Sequence, residues 1–135
     1  MSDDGSVRVL VVDDQPPFRA AARAVVDRIS GFDVVGEAAS GEEAVLAVTD
    51  ARPDLVLMDI KMDGIDGIEA TRQILAQHPL VKVVLLSTYE LADLPPAART
   101  SGAIAYVNKD EFGTRVLRRL WEQAGDDDFT VVAGE

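Results

Sequence analysis

The chain has 135 residues, a size that usually forms one domain, and 47% of them are apolar, which is enough for a single core. With 13 basic against 24 acidic residues, the formal net charge is -11, so direct binding to nucleic acid or to an anionic membrane is not expected. Cysteine is absent, which excludes disulfides and thiol chemistry. The sequence has no secretion signal and no apolar run of about 18 residues, so we expect a cytoplasmic location.

Five short apolar segments recur along the chain and predict five β-strands. They lie at residues 7–12, 33–38 (the weakest), 55–58, 81–86 and 104–107. Their hydrophobicity is continuous rather than alternating, which is typical of strands that are covered on both faces. The pattern therefore indicates a parallel sheet with helices on both sides.

Between these segments the hydrophobic period becomes helical. Ser40 with Glu43, and Asp66 with Glu69, have the spacing of capping boxes and predict helices at 41–51 and 67–77. A proline pair after the fourth strand indicates that the fourth helix is short. Residues 111–123 are amphipathic and predict the fifth helix.

Five repeats of strand and helix predict a three-layer α/β sandwich, because right-handed crossovers place helices on both faces of the sheet. The expected architecture is the flavodoxin-like doubly wound (βα)5 fold, with a five-stranded parallel sheet in the order 2-1-3-4-5. We predict one domain at 7–124, an N-terminal tail at 1–6 and an acidic flexible tail at 125–135.

Reactive side chains follow the apolar segments, at the edge where open α/β sheets bind ligands. The first segment is followed by Asp13 and Asp14, the third by Asp59, the fourth by Ser87 and the fifth by Asn108 and Lys109. Carboxylates that lie close together repel, and a hard divalent cation offsets this repulsion. Magnesium fits because it needs only one or two carboxylates plus a phosphate. The set predicts phosphoryl transfer to Asp59.

Four segments closely resemble the receiver domains of bacterial two-component response regulators. They are VLVVDDQ, PDLVLMDIKMDGIDGIEA, VVLLST and AYVNKD, and the resemblance spans about residues 7–123. The third and fifth strand motifs are most similar to receivers of the LuxR/NarL-type subfamily, which usually carry a helix-turn-helix DNA-binding domain. The resemblance implies a receiver that accepts a phosphoryl group from a sensor histidine kinase, a phosphotransfer protein or a small phosphodonor.

The same resemblance assigns the metal and the reacting group. Asp59 would be the phosphoacceptor, in a Mg2+-dependent phosphorylation and dephosphorylation that the domain itself catalyses. Asp14, Asp59 and the backbone carbonyl of Lys61 would bind Mg2+ directly, and Asp13 would act largely through water. Lys109 would offset the charge of the phosphoryl group.

Switching and tuning roles are implied for four positions. Ser87 would bind a phosphoryl oxygen, and Tyr106 would rotate inward with it, so that the surface of the fourth helix, fifth strand and fifth helix changes. Lys61 and Tyr89 occupy positions that tune how fast water reaches the phosphoryl group. The downstream protein is not identifiable from the sequence, and a homodimer is left open.

The sequence departs from the family pattern at two positions. Asp63 replaces a usual proline in the loop after the acceptor, and Asp110 rather than proline follows Lys109. We expect Asp63 to be an exposed turn residue, and weaker magnesium binding or a looser loop is the alternative.

Four other interpretations remain to be compared. Two keep the receiver fold: a protein-binding module that is not phosphorylated, and the receiver part of a DNA-binding regulator, although we expect a stand-alone receiver. A haloacid-dehalogenase phosphatase is weaker, because Lys61 stands where its second aspartate is needed. A flavodoxin-like electron carrier is also weaker, because Asp13 and Asp14 would repel the flavin phosphate.

Overall fold

The computed structural model describes residues 5–124 and 128–133, in which strands and helices alternate along the chain. The strands are β1 (Val7–Val12), β2 (Phe32–Ala38), β3 (Leu55–Asp59), β4 (Lys82–Ser87), β5 (Ala105–Asn108) and β6 (Thr130–Val132). The α-helices are α1 (Pro16–Asp27), α2 (Gly41–Ala51), α3 (Gly67–Gln77) and α4 (Thr114–Glu122). Short 3-10 turns lie at Leu91–Asp93, Pro96–Ala98 and Lys109–Glu111.

All six strands belong to one parallel sheet with the order β2-β1-β3-β4-β5-β6. The first five positions confirm the predicted order 2-1-3-4-5 and with it the doubly wound fold. The order runs outward from β1 in both directions, so the chain reverses its direction of winding between β1 and β3. In such sheets this reversal opens a crevice at the carboxyl ends of the two strands.

The strand register brings the predicted site residues to that crevice. In the β1–β3 pair, the residue before Asp13 lies opposite the residue before Asp59. In the β4–β5 pair, Ser87 lies opposite the residue before Lys109. Because the strands are parallel, all four residues come to the same edge of the sheet.

The sheet is apolar on both faces because helices cover both of them. All five residues of β3 and the last five of β4 are buried. On one face Met58 packs in a cluster with Ala44 of α2 and Ile74 of α3. On the other face, a second cluster contains Val26 of α1 and Leu117 of α4. Continuous hydrophobicity in the sequence therefore indicated the correct sheet type.

The capping residues in the sequence determine where α2 and α3 begin. Ser40 Oγ accepts a hydrogen bond of 3.0 Å from the backbone N–H of Glu43, and Asp66 Oδ1 accepts one of 2.8 Å from that of Glu69. Each bond satisfies a backbone donor that has no partner within the helix. The helices Gly41–Ala51 and Gly67–Gln77 therefore have the predicted bounds.

The predicted short fourth helix is wrong. Between β4 and β5 the chain has two 3-10 turns instead, at Leu91–Asp93 and Pro96–Ala98. Pro95 and Pro96 have no backbone N–H to donate, and Leu94 before them has an extended backbone with ψ 124°. Between Pro96 and β5, Gly102 has a φ of 100°, which an α-helix cannot contain.

The predicted number of five strands is also wrong, because β6 pairs with β5. Phe129 and Val131 pack on the face of the sheet that holds Tyr106, and Val132 packs on the opposite face. Burial of apolar side chains on both faces stabilises the segment against the sheet. Part of the predicted flexible tail is thus a strand, while residues 125–127 and 134–135 lie outside the described residues.

The structure also bears on whether the chain could cross a membrane. In the two described ranges, no helix has both the length and the apolar character that crossing a membrane requires. The cytoplasmic location stays a prediction. Of the predicted N-terminal tail, residues 1–4 lie outside the described part of the chain.

Candidate functional site

Three aspartates lie together at the carboxyl edge of the sheet. Asp13 follows β1 and is 1% exposed, Asp59 ends β3 and is 3% exposed, and Asp14 is exposed to solvent. Each offers one carboxylate oxygen, and these oxygens all lie within 4.8 Å of one another. The backbone N–H of Gln15 donates a 2.8 Å hydrogen bond to Asp13 Oδ1, which orients that carboxylate. The structure therefore brings the three predicted acidic residues together.

The ammonium group of Lys109 faces two of these carboxylates. Its Nζ lies 2.8 Å from Asp13 Oδ2 and 3.4 Å from Asp59 Oδ1. The same Nζ lies 4.4 Å from the centroid of the Phe18 ring in α1. An aromatic face attracts a cation and shields it from water on one side. Phe18 was not among the predicted site residues, because its contact with Lys109 depends on how α1 packs against the sheet.

Burial raises the pKa of Asp59 from 3.8 to about 6. Burial is the largest cause of this net shift; the negative charges of Asp13 and Asp14 also raise the pKa, and the charge and hydrogen bond of Lys109 lower it. Above pH 7 the carboxylate is still mainly ionised, and it is more basic than an exposed aspartate. Asp59 can therefore act as a nucleophile near neutral pH.

Ser87 contributes a buried hydroxyl group at the same edge. It ends β4 and is 1% exposed. Among the described residues, its Oγ has no hydrogen-bond partner. A buried polar group without a partner costs about 1–3 kcal/mol, so this hydroxyl has a free-energy reason to bind an incoming oxygen.

Tyr106, predicted to be the switch residue, is fully buried in the core. Its Oη donates a 2.7 Å hydrogen bond to the backbone carbonyl of Tyr89. Desolvation raises the pKa of Tyr106 to about 12. The hydroxyl therefore stays protonated, and remains a donor, at every pH at which the protein would be studied.

The two predicted tuning residues contact each other. Lys61, in the loop after β3, has its Nζ 4.3 Å from the ring centroid of Tyr89, in the loop after β4. Lys61 is exposed and Tyr89 is half-buried. The pair joins the loop that follows Asp59 to the loop that follows Ser87.

The loop between β3 and α3 passes very close to the acceptor strand. The N–H of Gly67 donates a 2.8 Å hydrogen bond to the carbonyl of Ile60. A Cβ at Gly67 would overlap the carbonyl oxygen of Asp59 and lie 2.9 Å from Ile60 Cα, so only glycine fits here. Asp63 is exposed in this loop, as expected of a turn residue. Its effect on magnesium affinity stays a prediction.

The charges at this edge suit a hard divalent cation. The ammonium group of Lys109 contacts two of the three carboxylates, and its single positive charge leaves a net charge of two negative units when all three are ionised. Oxygen ligands of this kind are those that Mg2+ prefers, and Mg2+ keeps part of its water shell in such sites. The residues present therefore fit the predicted metal.

Comparison with known proteins gives a consistent family match. The family model described as "Response regulator receiver domain" matches residues 9–121. Response regulator GacA of Pseudomonas viridiflava is 44% identical over 103 residues, which are 76% of this chain and 48% of that protein. Response regulator UvrY of Escherichia coli K12 is 41% identical over 103 residues, 76% of this chain and 47% of that protein. The chain thus spans about half the length of these curated relatives.

Solved structures agree with this match. The crystal structure of a LuxR-family two-component response regulator from Aurantimonas sp. SI85-9A1 has a TM-score of 0.82 at 28% sequence identity. The alignment covers 92% of this chain and 89% of that one. The fold, the acidic edge and the sequence matches lead to one conclusion: the chain belongs to the response regulator receiver domain family.

Proposed function

We propose that this chain is a phosphoacceptor receiver and that Asp59 takes a phosphoryl group from the phosphohistidine of a sensor histidine kinase or phosphotransfer protein, or from a small donor such as acetyl phosphate. The observation that carries the proposal is the environment of Asp59. Its carboxylate is buried at the ligand-binding edge of the sheet, beside two further aspartates and one ammonium group.

The transfer requires an ionised carboxylate and a stabilised phosphoryl group. A carboxylate oxygen of Asp59 forms a bond to phosphorus, the bond from phosphorus to the donor atom breaks, and the leaving group keeps the electron pair. With a pKa of about 6, Asp59 is mainly ionised above pH 7. The Nζ of Lys109, 3.4 Å from Asp59 Oδ1, offsets charge on the equatorial oxygens of the phosphoryl group.

Ser87 supplies the second contact to the phosphoryl group. Its unpartnered, buried Oγ donates a hydrogen bond to a phosphoryl oxygen, which replaces an unsatisfied group by a charge-assisted bond. The gain is present only when Asp59 carries the group. Ser87 therefore links phosphorylation to the position of the loop after β4.

Asp13, Asp14, Asp59 and the backbone carbonyl of Lys61 would hold Mg2+, Asp13 largely through water. When bound, the metal supplies positive charge that neutralises the phosphoryl oxygens and the acidic residues. Without any cation, an anionic donor would approach three carboxylates, beside which the described residues place the ammonium group of Lys109. Phosphorylation should therefore depend on added Mg2+.

Phosphorylation would change the surface next to Tyr106. This surface consists of the two 3-10 turns, α4, and β6, which covers the outer edge of β5, in place of the predicted surface with a fourth helix. A phosphoryl group adds about two negative charges near Lys109 and Ser87, which shifts the loop after β4 and the balance between conformations of Tyr106. A downstream protein, or a second copy of the chain, would recognise the changed surface.

Intact-mass measurement after incubation with acetyl phosphate and Mg2+ tests the proposal. We expect one phosphoryl group per chain, no addition when EDTA replaces Mg2+, and no addition to Asp59→Asn. Asp50→Asn is the matched control, because Asp50 is an exposed aspartate in α2, outside the candidate site, and should leave labelling intact.

Two results would contradict the proposal. Labelling of Asp59→Asn to the level of the parent would mean that another residue is the acceptor. A parent that takes no phosphoryl group, and whose spectrum does not respond to beryllofluoride with Mg2+, would favour the alternative of a protein-binding module that is not phosphorylated.

A further inference from the structure

Asn108, the last residue of β5, forms hydrogen bonds through both polar atoms of its side-chain amide and so connects two parts of the candidate site. It is 3% exposed. Its Oδ1 accepts a 2.9 Å hydrogen bond from the backbone N–H of Asp110, and its Nδ2 donates a 3.0 Å bond to the carbonyl of Tyr89. These partners identify the oxygen and the nitrogen of the amide, because a backbone N–H only donates and a carbonyl only accepts.

The first of these bonds fixes the backbone around Lys109. Asn108 caps the 3-10 turn Lys109–Glu111, in which Lys109 is the first residue. The turn directs the Lys109 side chain to Asp13 and Asp59, at 2.8 and 3.4 Å. Loss of the cap would therefore loosen the residue that offsets the charge of the phosphoryl group.

The second bond fixes the loop that begins at Ser87. Tyr89 is two residues beyond Ser87, and its carbonyl accepts from both Asn108 Nδ2 and Tyr106 Oη. Asn108 and Tyr106 are two residues apart in β5, so their side chains lie on the same face of the sheet. One acceptor thus binds two donors from one strand.

Sharing this acceptor has an energetic consequence. If Tyr106 were the only donor, rotation of its ring would leave the Tyr89 carbonyl without a partner in the interior, which is unfavourable. With Asn108 still bound, the carbonyl keeps one hydrogen bond in either position of the ring. Rotation of the Tyr106 ring then costs less free energy, and the loop after β4 keeps its position relative to Lys109.

We infer that Asn108 is a positioning residue for the proposed phosphoryl transfer: it holds the Ser87–Tyr89 loop and the Lys109 turn at a fixed separation, and it keeps the Tyr89 carbonyl satisfied while Tyr106 moves. The inference rests on the proposed function. It concerns a residue that would not itself touch the phosphoryl group.

Asn108→Ser separates the two roles of the side chain. A serine at this position still caps the turn through its hydroxyl oxygen, but it is too short to reach the Tyr89 carbonyl. We expect phosphorylation by acetyl phosphate to become about three- to tenfold slower, the range that corresponds to loss of one buried hydrogen bond. Asn108→Thr, whose branched side chain suits a strand, serves the same purpose if the serine variant does not fold.

A double-mutant cycle with Tyr106→Phe tests the shared acceptor. The double variant leaves the Tyr89 carbonyl without either donor, so we expect its phosphorylation rate to fall well below the product of the two single effects. The 19F NMR shifts of bound beryllofluoride, used with Mg2+ as the phosphoryl mimic, should change in Asn108→Ser. A residue that supports only overall stability would leave these shifts unaltered, and urea unfolding of each variant measures that stability separately.

The possible results distinguish this inference from the function on which it rests. A parent that is phosphorylated, together with an Asn108→Ser variant of equal rate and equal 19F shifts, would overturn the role of Asn108 and leave the function standing. Single effects that simply multiply in the double variant would also overturn it. A parent that accepts no phosphoryl group would overturn both.

Discussion

The ammonium group of Lys61 lies 4.3 Å from the ring centroid of Tyr89, so the loops that follow the acceptor strand and the Ser87 strand touch beside the candidate site. We predict that this pair limits the access of water to a phosphoryl group on Asp59. A partly exposed cation–π contact is worth about 0.5–1 kcal/mol, so Lys61→Ala and Tyr89→Ala should each change the half-life of the phosphorylated protein by about two- to fivefold. Intact-mass decay after removal of acetyl phosphate measures this.

The double variant of this pair adds a control. If the two residues act through their mutual contact, Lys61→Ala with Tyr89→Ala should change the half-life no more than the stronger single change. An unchanged decay rate in both single variants would count against the tuning role. Fully multiplicative effects would mean that each residue acts by a separate route.

Asp59 should make the stability of the protein depend on pH. Its pKa is about 6 in the folded chain against 3.8 as the ordinary value, so the folded state binds the proton more tightly than the unfolded state. Stability from this group is therefore fully present below about pH 4 and is lost as the pH rises through 6. Asp59→Asn does not lose this stability, so its free energy of unfolding should exceed that of the parent by about 1–2 kcal/mol at pH 8. Urea unfolding from pH 4 to 8 with EDTA measures the difference, and a constant difference over that range would disprove the effect.

Gly67 allows α3 to start against the acceptor strand, and Gly67→Ala should be destabilising. A new Cβ would overlap the Asp59 carbonyl oxygen and lie 2.8 Å from the carbonyl carbon, so the helix start must move. Overpacking of this kind costs about 1–3 kcal/mol. Gly113→Ala is the control, because a Cβ at Gly113 would meet nothing within 4 Å. Equal urea midpoints for Gly67→Ala and the parent would show that the loop adapts without cost.

Most of the candidate site could be predicted because it depends on strand ends. Continuous apolar segments indicated a parallel sheet, and such a sheet places every strand's carboxyl end at one edge. Asp13, Asp59 and Lys109 could therefore be grouped without any coordinates. The same holds for the first residues of α2 and α3, which follow from the local N-capping residues Ser40 and Asp66.

Other features depend on long-range contacts and could not be predicted in this way. The bond from Asn108 to the Tyr89 carbonyl joins residues 19 positions apart, and no spacing rule connects them. The cation–π contact between Lys109 and Phe18 likewise requires the packed position of α1. A strand at β6 was missed because its short apolar sequence follows acidic residues, which alone are typical of a tail.

Removal of β6 should destabilise the domain. The segment packs Phe129 and Val131 beside Tyr106, and the guanidinium carbon of Arg99 lies 5.6 Å from the ring centroid of Phe129. A chain that ends at residue 127 should lose about 2 kcal/mol in the free energy of unfolding, since these side chains are only partly buried. Phe129→Ala should lose part of that, and the exposed Asp128→Ala almost none. Identical urea midpoints for the shortened and parent chains would show that β6 contributes nothing.

The added strand also determines how the sheet meets other molecules. Without β6, the rim next to Tyr106 would be the backbone of Ala105–Asn108, whose unpaired N–H and carbonyl groups could pair with a foreign strand. With it, that rim is only three residues long and follows the exposed charge of Asp128. Strand-to-strand aggregation is thereby discouraged on this side. On this side of the molecule, self-association of concentrated protein should consequently proceed through helical surfaces such as α4 rather than by pairing with β6.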